Sequence, residues 1–404
     1  MKPCYTLCAD VGTTSLKAAF VDISHNAAAR LAALTRVSYN AFSLGQKPTG
    51  APDWEDAFFK AISELFLQRP DVKIEAIAIS GNGPTLTALD EHLNVIKTLY
   101  WFDPIQNVEF SPEGKSFFLP HVVSFKNTNP DLYKKTSLFL SCHEWLSWRI
   151  GAKFCTVLPT KFYEDFYWNG RQCAAFGINQ AESKKLTAFT ALGSVIGGLS
   201  AQAANRSGLT SGTPIIGCGP DFIMALLGTA TVSAGLVCDR AGSSEGINIC
   251  ADKAPSHNAA GIRVLPHAIE GLWNVSVVIP QSGILFDEYR RVNNIQQLTY
   301  EESIQQPGAM KVLENIADVV RNALTTLETA GYRITQMRLS GGQAKSSLWT
   351  NLKAKMIRCS LTVPEIIDAE LAGNAAAAML ALKQEDDFKT ACEKITVIKE
   401  TFLP

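Results

Sequence analysis

Two stretches of the chain, about 230 residues apart, repeat one pattern, and this repeat limits the fold more than any other feature. Leu7-Cys8-Ala9-Asp10-Val11-Gly12-Thr13-Thr14 runs into a second apolar segment, Leu16 to Ile23. Val237-Cys238-Asp239-Arg240-Ala241-Gly242-Ser243-Ser244 runs into Gly246 to Cys250. Each reads as an apolar strand, a Gly-hydroxyl-hydroxyl turn and a second apolar strand, the pattern of a β-hairpin. A unit repeated at that distance predicts two similar domains. The Gly-rich stretch from Gly212 to Gly219 precedes the second copy, so the expected domains are residues 1–217 and 218–404.

Composition narrows the class. Of 404 residues, 47% are hydrophobic and 19% charged, enough apolar surface for a large core and too little charge for disorder. Lys plus Arg is 37 and Asp plus Glu 38, a balance that argues against a nucleic-acid partner. No apolar stretch reaches the length of a membrane span without a charge or a breaker, and the opening MKPCYTLCAD lacks the pattern of a secretory leader. The ten cysteines contain no C-x-x-C pair and the six histidines do not cluster, so zinc is not expected. Most of the cysteines lie in apolar runs and read as small buried hydrophobes in a reducing, cytoplasmic setting.

The remaining elements alternate between strands and helices, which predicts an α/β protein. A third strand is expected over 30–39, then a helix opened by Pro52-Asp53 with Trp54, Phe58, Ile62 and Leu65 on one face. A buried strand over 74–80 ends at Gly81-Asn82-Gly83-Pro84, and strand-like runs continue to Trp101. Residues 138–150 read as one helix carrying Trp145 and Trp148. The aromatic run over 161–168 reads as core or as the wall of a ligand cleft. In the second half, Met310, Leu313, Ile316, Val320 and Leu324 recur at helical spacing over 308–330. A strand over 336–340 leads into Gly341-Gly342-Gln343-Ala344, with helices over 346–357 and 369–382.

Three places offer chemistry. The two Gly-hydroxyl turns present backbone N–H groups and hydroxyls, both good donors to phosphate oxygens, although a plain hairpin with solvated tips fits either turn alone. Asp10, two residues before the first turn, suits Mg²⁺ or its waters, and Lys17 is within reach of a terminal phosphate. Asp221, in Gly217-Cys218-Gly219-Pro220-Asp221, sits at a strand-to-helix junction, where it reads either as a helix cap or as a general base. Gly341-Gly342 lets a ligand approach the backbone closely. No Gly-Lys-Ser/Thr follows, so this is not a P-loop. No G-x-G-x-x-G follows an early strand, which leaves a nicotinamide dehydrogenase without support.

Taken in order, these segments resemble the FGGY carbohydrate kinases of the actin/hexokinase/Hsp70-like superfamily. Asp10 to Lys17 resembles the first phosphate motif. Ile79-Ser80-Gly81-Asn82, with Leu89-Asp90 and Trp101-Phe102-Asp103, resembles the sugar segment. Gly208-Leu209, Gly212-Thr213-Pro214 and Gly219-Pro220-Asp221 resemble the stretch with the catalytic aspartate. Gly242-Ser243-Ser244 resembles the second phosphate motif, Leu339 to Trp349 the adenosine motif, and Glu370 to Ala378 the closing helix.

The resemblance implies two ribonuclease-H-like domains of the actin-like ATPase type with an interdomain active-site cleft. ATP-Mg²⁺ would lie mainly on the C-terminal domain and the sugar mainly on the N-terminal one. Asp221 would be the general base and Asp10 would place Mg²⁺. Gly12, Thr13, Thr14, Lys17, Gly242, Ser243 and Ser244 would hold phosphates, and Gly341, Gly342 and Gln343 would border the adenosine. Asn82, Gly83, Trp101, Asp103, Asp221 and Phe222 would line the sugar site. The implied reaction is phosphorylation of a sugar hydroxyl, with a ketopentose such as xylulose or a related sugar, aldonate or polyol as acceptor. A homodimer stays open. The alternatives are a non-catalytic sugar- or nucleotide-binding regulator of the same fold, and another ATPase of the superfamily.

The chain departs from the family at several positions. Asn82 and Pro84 stand where relatives usually have Gln and His. Trp101-Phe102-Asp103-Pro104-Ile105 lacks the arginine of W-x-D-x-R. Ser243 replaces a threonine, Gln343 a third glycine, and Lys355 an acid or amide. The chain is also shortened between Tyr289 and Gly308. A site that bonds particular hydroxyls discriminates strongly among sugars, so the altered segment points to an altered acceptor.

Overall fold

The hairpin expected at the start of the chain forms as Tyr5–Val11 paired antiparallel with Ser15–Asp22, which sets Asp10 opposite Lys17. In the computed structural model, which describes residues 3–24, 30–39, 50–255 and 260–404, this hairpin is the centre of a six-stranded sheet. Arg30–Ser38 adds antiparallel on one side, and Ile74–Gly81 and then Pro214–Pro220 add parallel on the other. Val195–Gly198 closes the edge antiparallel to Pro214–Pro220. The helix Ala51–Gln68 covers the sheet with Trp54, Phe58, Ile62 and Leu65, all buried, as the spacing predicts. Each such side chain contributes about 1.5–3 kcal/mol on burial.

The second hairpin repeats the plan. Val237–Ala241 pairs with Glu245–Ala251, and Trp273–Ile279 extends the meander. Gln336–Ser340 and Ser360–Pro364 join parallel on the other side, with Ile398–Phe402 antiparallel beyond them. Arg263–Pro266 completes a seven-stranded sheet. Helix Ala309–Thr329 packs Leu313, Ile316, Val320 and Leu324 into this second core, whereas Met310, in its first turn, is exposed.

The chain divides into two compact units, 1–224 with 374–387, and 225–373 with 388–404. The crossing falls inside helix Asp221–Gly228, later than the boundary expected after residue 217, and the first unit regains a segment near the C-terminus.

One local expectation needs correction. Residues 138–150 are not one helix: Leu138–Ser141 is a strand beside Leu86–Leu89, and the helix is Cys142–Ile150. Ser141 starts it through a capping box with Glu144, which satisfies the first N–H groups and fixes the boundary. The aromatic run forms a 3₁₀ turn, Lys161–Phe166, with Tyr163, Tyr167 and Trp168 buried and Phe162 exposed. The three buried side chains belong to the core, and Trp168 also borders a cavity of about 580 Å³ with Cys173, Leu186 and Phe189. Among the described residues, no helix is long and apolar enough to cross a membrane.

Candidate active site

In the first unit, three neighbouring parallel strands end on the same edge of the sheet. Their registers align Asp10 with Ser80, Val11 with Gly81, and Gly81 with Pro220. Asp10, the Gly81-Asn82 corner and Asp221 are therefore neighbours at the carboxyl ends of adjacent strands, where open α/β sheets bind their ligands.

Asp10 is nearly fully buried. Its Oδ1 accepts a hydrogen bond from Ser80 Oγ at 2.9 Å, and its Oδ2 lies 3.6 Å from Lys17 Nζ. Ser80 Oγ in turn accepts from Asn374 Nδ2 at 3.0 Å, and the same amide donates to Ala9 O at 2.8 Å. Next to it, the turn after Asp10 is tied down by its carbonyls. Gly12 O accepts from Tyr39 Oη at 3.1 Å and Thr14 O from Tyr39 N at 3.1 Å. A Cβ at position 12 would stand 2.8 Å from Ser15 O, so glycine is required there. Thr13 Oγ1 accepts from Trp101 Nε1 at 3.1 Å, which joins the phosphate-like turn to the expected sugar wall.

The other expected sugar-site residues are arranged unevenly. Asn82 is buried, and its side chain serves the protein itself. Nδ2 donates to Val11 O at 2.7 Å and Oδ1 accepts from Thr85 Oγ1. Gly83 precedes Pro84 through a cis peptide. Asp103 closes its own turn by accepting from Tyr100 N at 2.8 Å. Trp101 is 47% exposed, with its indole N–H on Thr13 and Phe102 edge-on to its ring. Asp221 and Phe222 begin their helix partly exposed, and Asp221 Oδ1 accepts from Phe222 N at 2.6 Å.

Beneath this edge lies the start of helix Cys142–Ile150. A Cβ on Gly81 would stand 2.6 Å from Cys142 Sγ, and this thiol donates to Asn82 O at 3.2 Å. Burial, with the Asp10 and Asp221 carboxylates, raises the Cys142 thiol well above its usual range. The thiol is thus a neutral floor under two acids. Burial also pushes Glu144 up to about 7, against hydrogen bonds from Ser141 N, Val157 N and Thr156 Oγ1.

In the second unit, Val237–Ala241 and Gln336–Ser340 end side by side, with Arg240 aligned to Ser340. Arg240 occupies the place in this hairpin that Asp10 has in the first, two residues before the turn glycine, and it lies 3.8 Å from Glu370. The Gly242–Ser244 turn is also held by its carbonyls. Gly242 O accepts from Gly283 N at 3.1 Å, and Ser243 O from Ser282 N and Ile284 N at 3.1 and 3.2 Å. Gly341 has φ +90°, and a Cβ there would meet Ala241 O at 2.6 Å. Gly342 has open space around its Cα. Gln343 is buried, with its amide directed into the domain: Nε2 donates to Ser282 Oγ at 2.8 Å and Gly242 O at 3.2 Å, while Oε1 accepts from Trp349 Nε1 at 2.8 Å.

The structure adds residues that sequence reasoning did not single out for a role: Tyr39, Ser80, Cys142 and Asn374 in the first unit, and Asp239, Glu245, Ser282 and Lys353 in the second. Asp239 and Glu245 carried a local signal, charges inside an apolar hairpin.

The sequence pattern of the FGGY carbohydrate kinase N-terminal domain matches residues 115–228, and that of the C-terminal domain matches residues 291–382. The chain belongs to the FGGY family of carbohydrate kinases. Among curated proteins it is similar to an autoinducer-2 kinase from Enterobacter sp. (strain 638), 20% identical over 343 residues, or 71% of this chain and 65% of that protein. The chain thus spans less than two thirds of that relative's length. Among solved structures it is similar to a xylulose kinase from Lactobacillus acidophilus (TM-score 0.78, 16% identity, 99% of this chain and 94% of that one). It is also similar to a Plasmodium falciparum glycerol kinase with ADP (TM-score 0.77, 15% identity, 99% and 94%). These likenesses establish the FGGY fold, two sheet-centred domains of the actin-like ATPase type.

Proposed function

We propose that the chain is an ATP-dependent kinase that phosphorylates a hydroxyl of a ketopentose such as xylulose, or of a related sugar, aldonate or polyol. The observation that carries this reading is the convergence of Asp10, the Gly81-Asn82 corner and Asp221 at the ends of three adjacent parallel strands, in a chain of the FGGY family.

In this reading Asp221 is the general base. It begins a helix, is partly exposed to an incoming hydroxyl, and takes the proton as the oxygen attacks the γ-phosphorus. The nucleotide belongs mainly to the second unit, where Gly242, Ser243 and Ser244 hold phosphates and Gly341 and Gly342 border the adenosine. The inward amide of Gln343 leaves only its backbone for that contact. Gly12, Thr13, Thr14 and Lys17 meet the transferring phosphoryl group, with donors placed where charge develops. Trp101, Gly83, Asp103 and Phe222 form the sugar wall, with Asn82 shaping it from behind.

The donor set at Asp10 fits Mg²⁺. One buried carboxylate, oriented by a serine hydroxyl, suits an ion that keeps most of its waters and shares the phosphates. When bound, Mg²⁺ would neutralise phosphate charge. Lys17 Nζ, 3.6 Å from Asp10 Oδ2, holds that carboxylate in place.

The test is ADP release with ATP-Mg²⁺ across xylulose, other ketopentoses, gluconate, glycerol and autoinducer-2, with Asp221→Asn as control. One acceptor that drives ADP release only in the wild-type protein is the expected result. Acceptor-dependent release that survives Asp221→Asn would remove Asp221 from its role. Silence across the panel, with ATP still raising the melting temperature, would favour a non-catalytic binder.

A further inference from the structure

Lys353 has no exposure to solvent, yet it carries a charge into the core of the second unit. Its Nζ donates to Asp239 Oδ2 at 2.6 Å and Glu245 Oε1 at 2.5 Å. The three groups are far apart in sequence and meet for a geometric reason. In the second hairpin Asp239 pairs with Ile247 and Ala241 with Glu245, so Asp239 and Glu245 lie diagonally on one face. Two carboxylates placed this way repel each other. Lys353, from helix Ser347–Ile357, sits between them and turns the repulsion into a clamp.

The cluster extends to the phosphate-like turn. Glu245 Oε2 accepts from Ser282 Oγ at 2.5 Å. Ser282 Oγ accepts from Gln343 Nε2, and that amide also donates to Gly242 O. Ser282 N and Gly283 N donate to Ser243 O and Gly242 O. One chain of hydrogen bonds thus runs from a buried ammonium to both carbonyls of the Gly242-Ser243 pair and to the backbone next to Gly342. A buried ion cluster of this kind is weak evidence for stability, because apolar residues of similar size often replace one at no loss. Its value here lies in orientation.

We infer that Lys353 is a positioning residue for nucleotide binding, acting through Glu245, Ser282 and Gln343 to fix the Gly242–Ser244 turn and the Gly341-Gly342 backbone. The inference rests on the kinase reading for the identity of the ligand. It goes beyond that reading by assigning the geometry of the nucleotide floor to side chains that do not touch the nucleotide.

The experiment compares ADP affinity with stability. In the variant Asp239→Val/Glu245→Leu/Lys353→Met the buried charges are gone together, so none is left unpaired. In Ser282→Ala the hydroxyl that joins Glu245 and Gln343 is removed, and only the longer Gln343 Nε2–Glu245 Oε2 contact at 3.4 Å still ties the carboxylate to the turn. ADP binding to the full chain is measured by calorimetry, beside the melting temperature without ligand. Both variants are expected to bind ADP ~10-fold more weakly or worse, the scale of losing a hydrogen bond to a charged group, and Ser282→Ala is also expected to melt lower, because buried Glu245 loses a donor. Wild-type affinity in Ser282→Ala and in any folded triple variant would overturn the inference, even if melting moved. If the triple variant does not fold, Ser282→Ala decides alone. Failure of the wild-type protein to bind ADP would instead overturn the kinase reading, and the inference with it.

Discussion

Ser80 Oγ stands 2.9 Å from Asp10 Oδ1, and this hydroxyl, supplied by the neighbouring parallel strand, orients the acid assigned here to Mg²⁺. Asn374 fixes the hydroxyl from its other side. Replacing Ser80 by Ala should leave Asp10 less well aimed. We expect the Mg²⁺ concentration for half-maximal activity to rise several-fold, with ~1 kcal/mol lost in stability. Asp10→Ala should abolish Mg²⁺-dependent turnover. A Mg²⁺ titration of both variants checks this, and an unchanged midpoint in Ser80→Ala would remove the orienting role.

Asp221→Asn should keep the fold and ATP binding while turnover falls ~10²-fold or more, the scale of a general base. Single-turnover kinetics with the acceptor found in the panel would read the chemical step directly.

The two glycines of the adenosine segment should behave differently. Gly341→Ala puts a Cβ 2.6 Å from Ala241 O at a φ of +90°, so ~1–3 kcal/mol of stability should be lost. Gly342→Ala meets no protein atom within 4 Å. It should melt like the wild-type protein and still bind ADP more weakly, because its methyl group occupies the space assigned to the ligand. Equal ADP affinity in Gly342→Ala would place the adenosine elsewhere.

Glu144 predicts a pH dependence. Its carboxyl titrates at about 7 in the folded protein because burial disfavours the charge, against a usual glutamate value of 4.5. Between these two values the folded state holds more protons than the unfolded one, so stability is greatest below about 4.5 and declines as pH rises through 7. The decline from this group is on the order of 3 kcal/mol. Glu144→Gln should start from a lower value, since its amide oxygen can replace only one of the two oxygens that accept backbone N–H bonds and its NH2 accepts none, and should have a flatter profile. Denaturant melts at pH 5, 6, 7 and 8 compare the two slopes.

Both hairpins were legible because their signals are local: apolar runs of strand length interrupted by Gly and two hydroxyl residues. The parallel strands beside them and helix Ala51–Gln68 were legible for the same reason. Residues 138–150 were misread because Leu138–Ser141 is apolar at every residue but the last, so periodicity cannot separate a short buried strand from the helix behind it. The Ser141-x-x-Glu144 signature marked the true start. Asn82 and Gln343 show another limit. An amide in a segment that reads as ligand-binding can serve the protein itself instead, and only the fold reveals which. Lys353 was least legible of all, since a helical lysine ordinarily faces water and the two acids that hold it lie 114 and 108 residues away.

Asn374 reaches back across almost the whole sequence to Ala9 and Ser80, and residues 374–387 belong with residues 1–224. The first domain is therefore discontinuous in the gene. A recombinant fragment ending at Met224 would leave Ala9 O and Ser80 without their amide, and Cys4 without Gln384. Complementation by a peptide spanning 369–387 is the route by which such a fragment would recover its missing wall, and any fusion or split-protein design must keep that late segment with the early one.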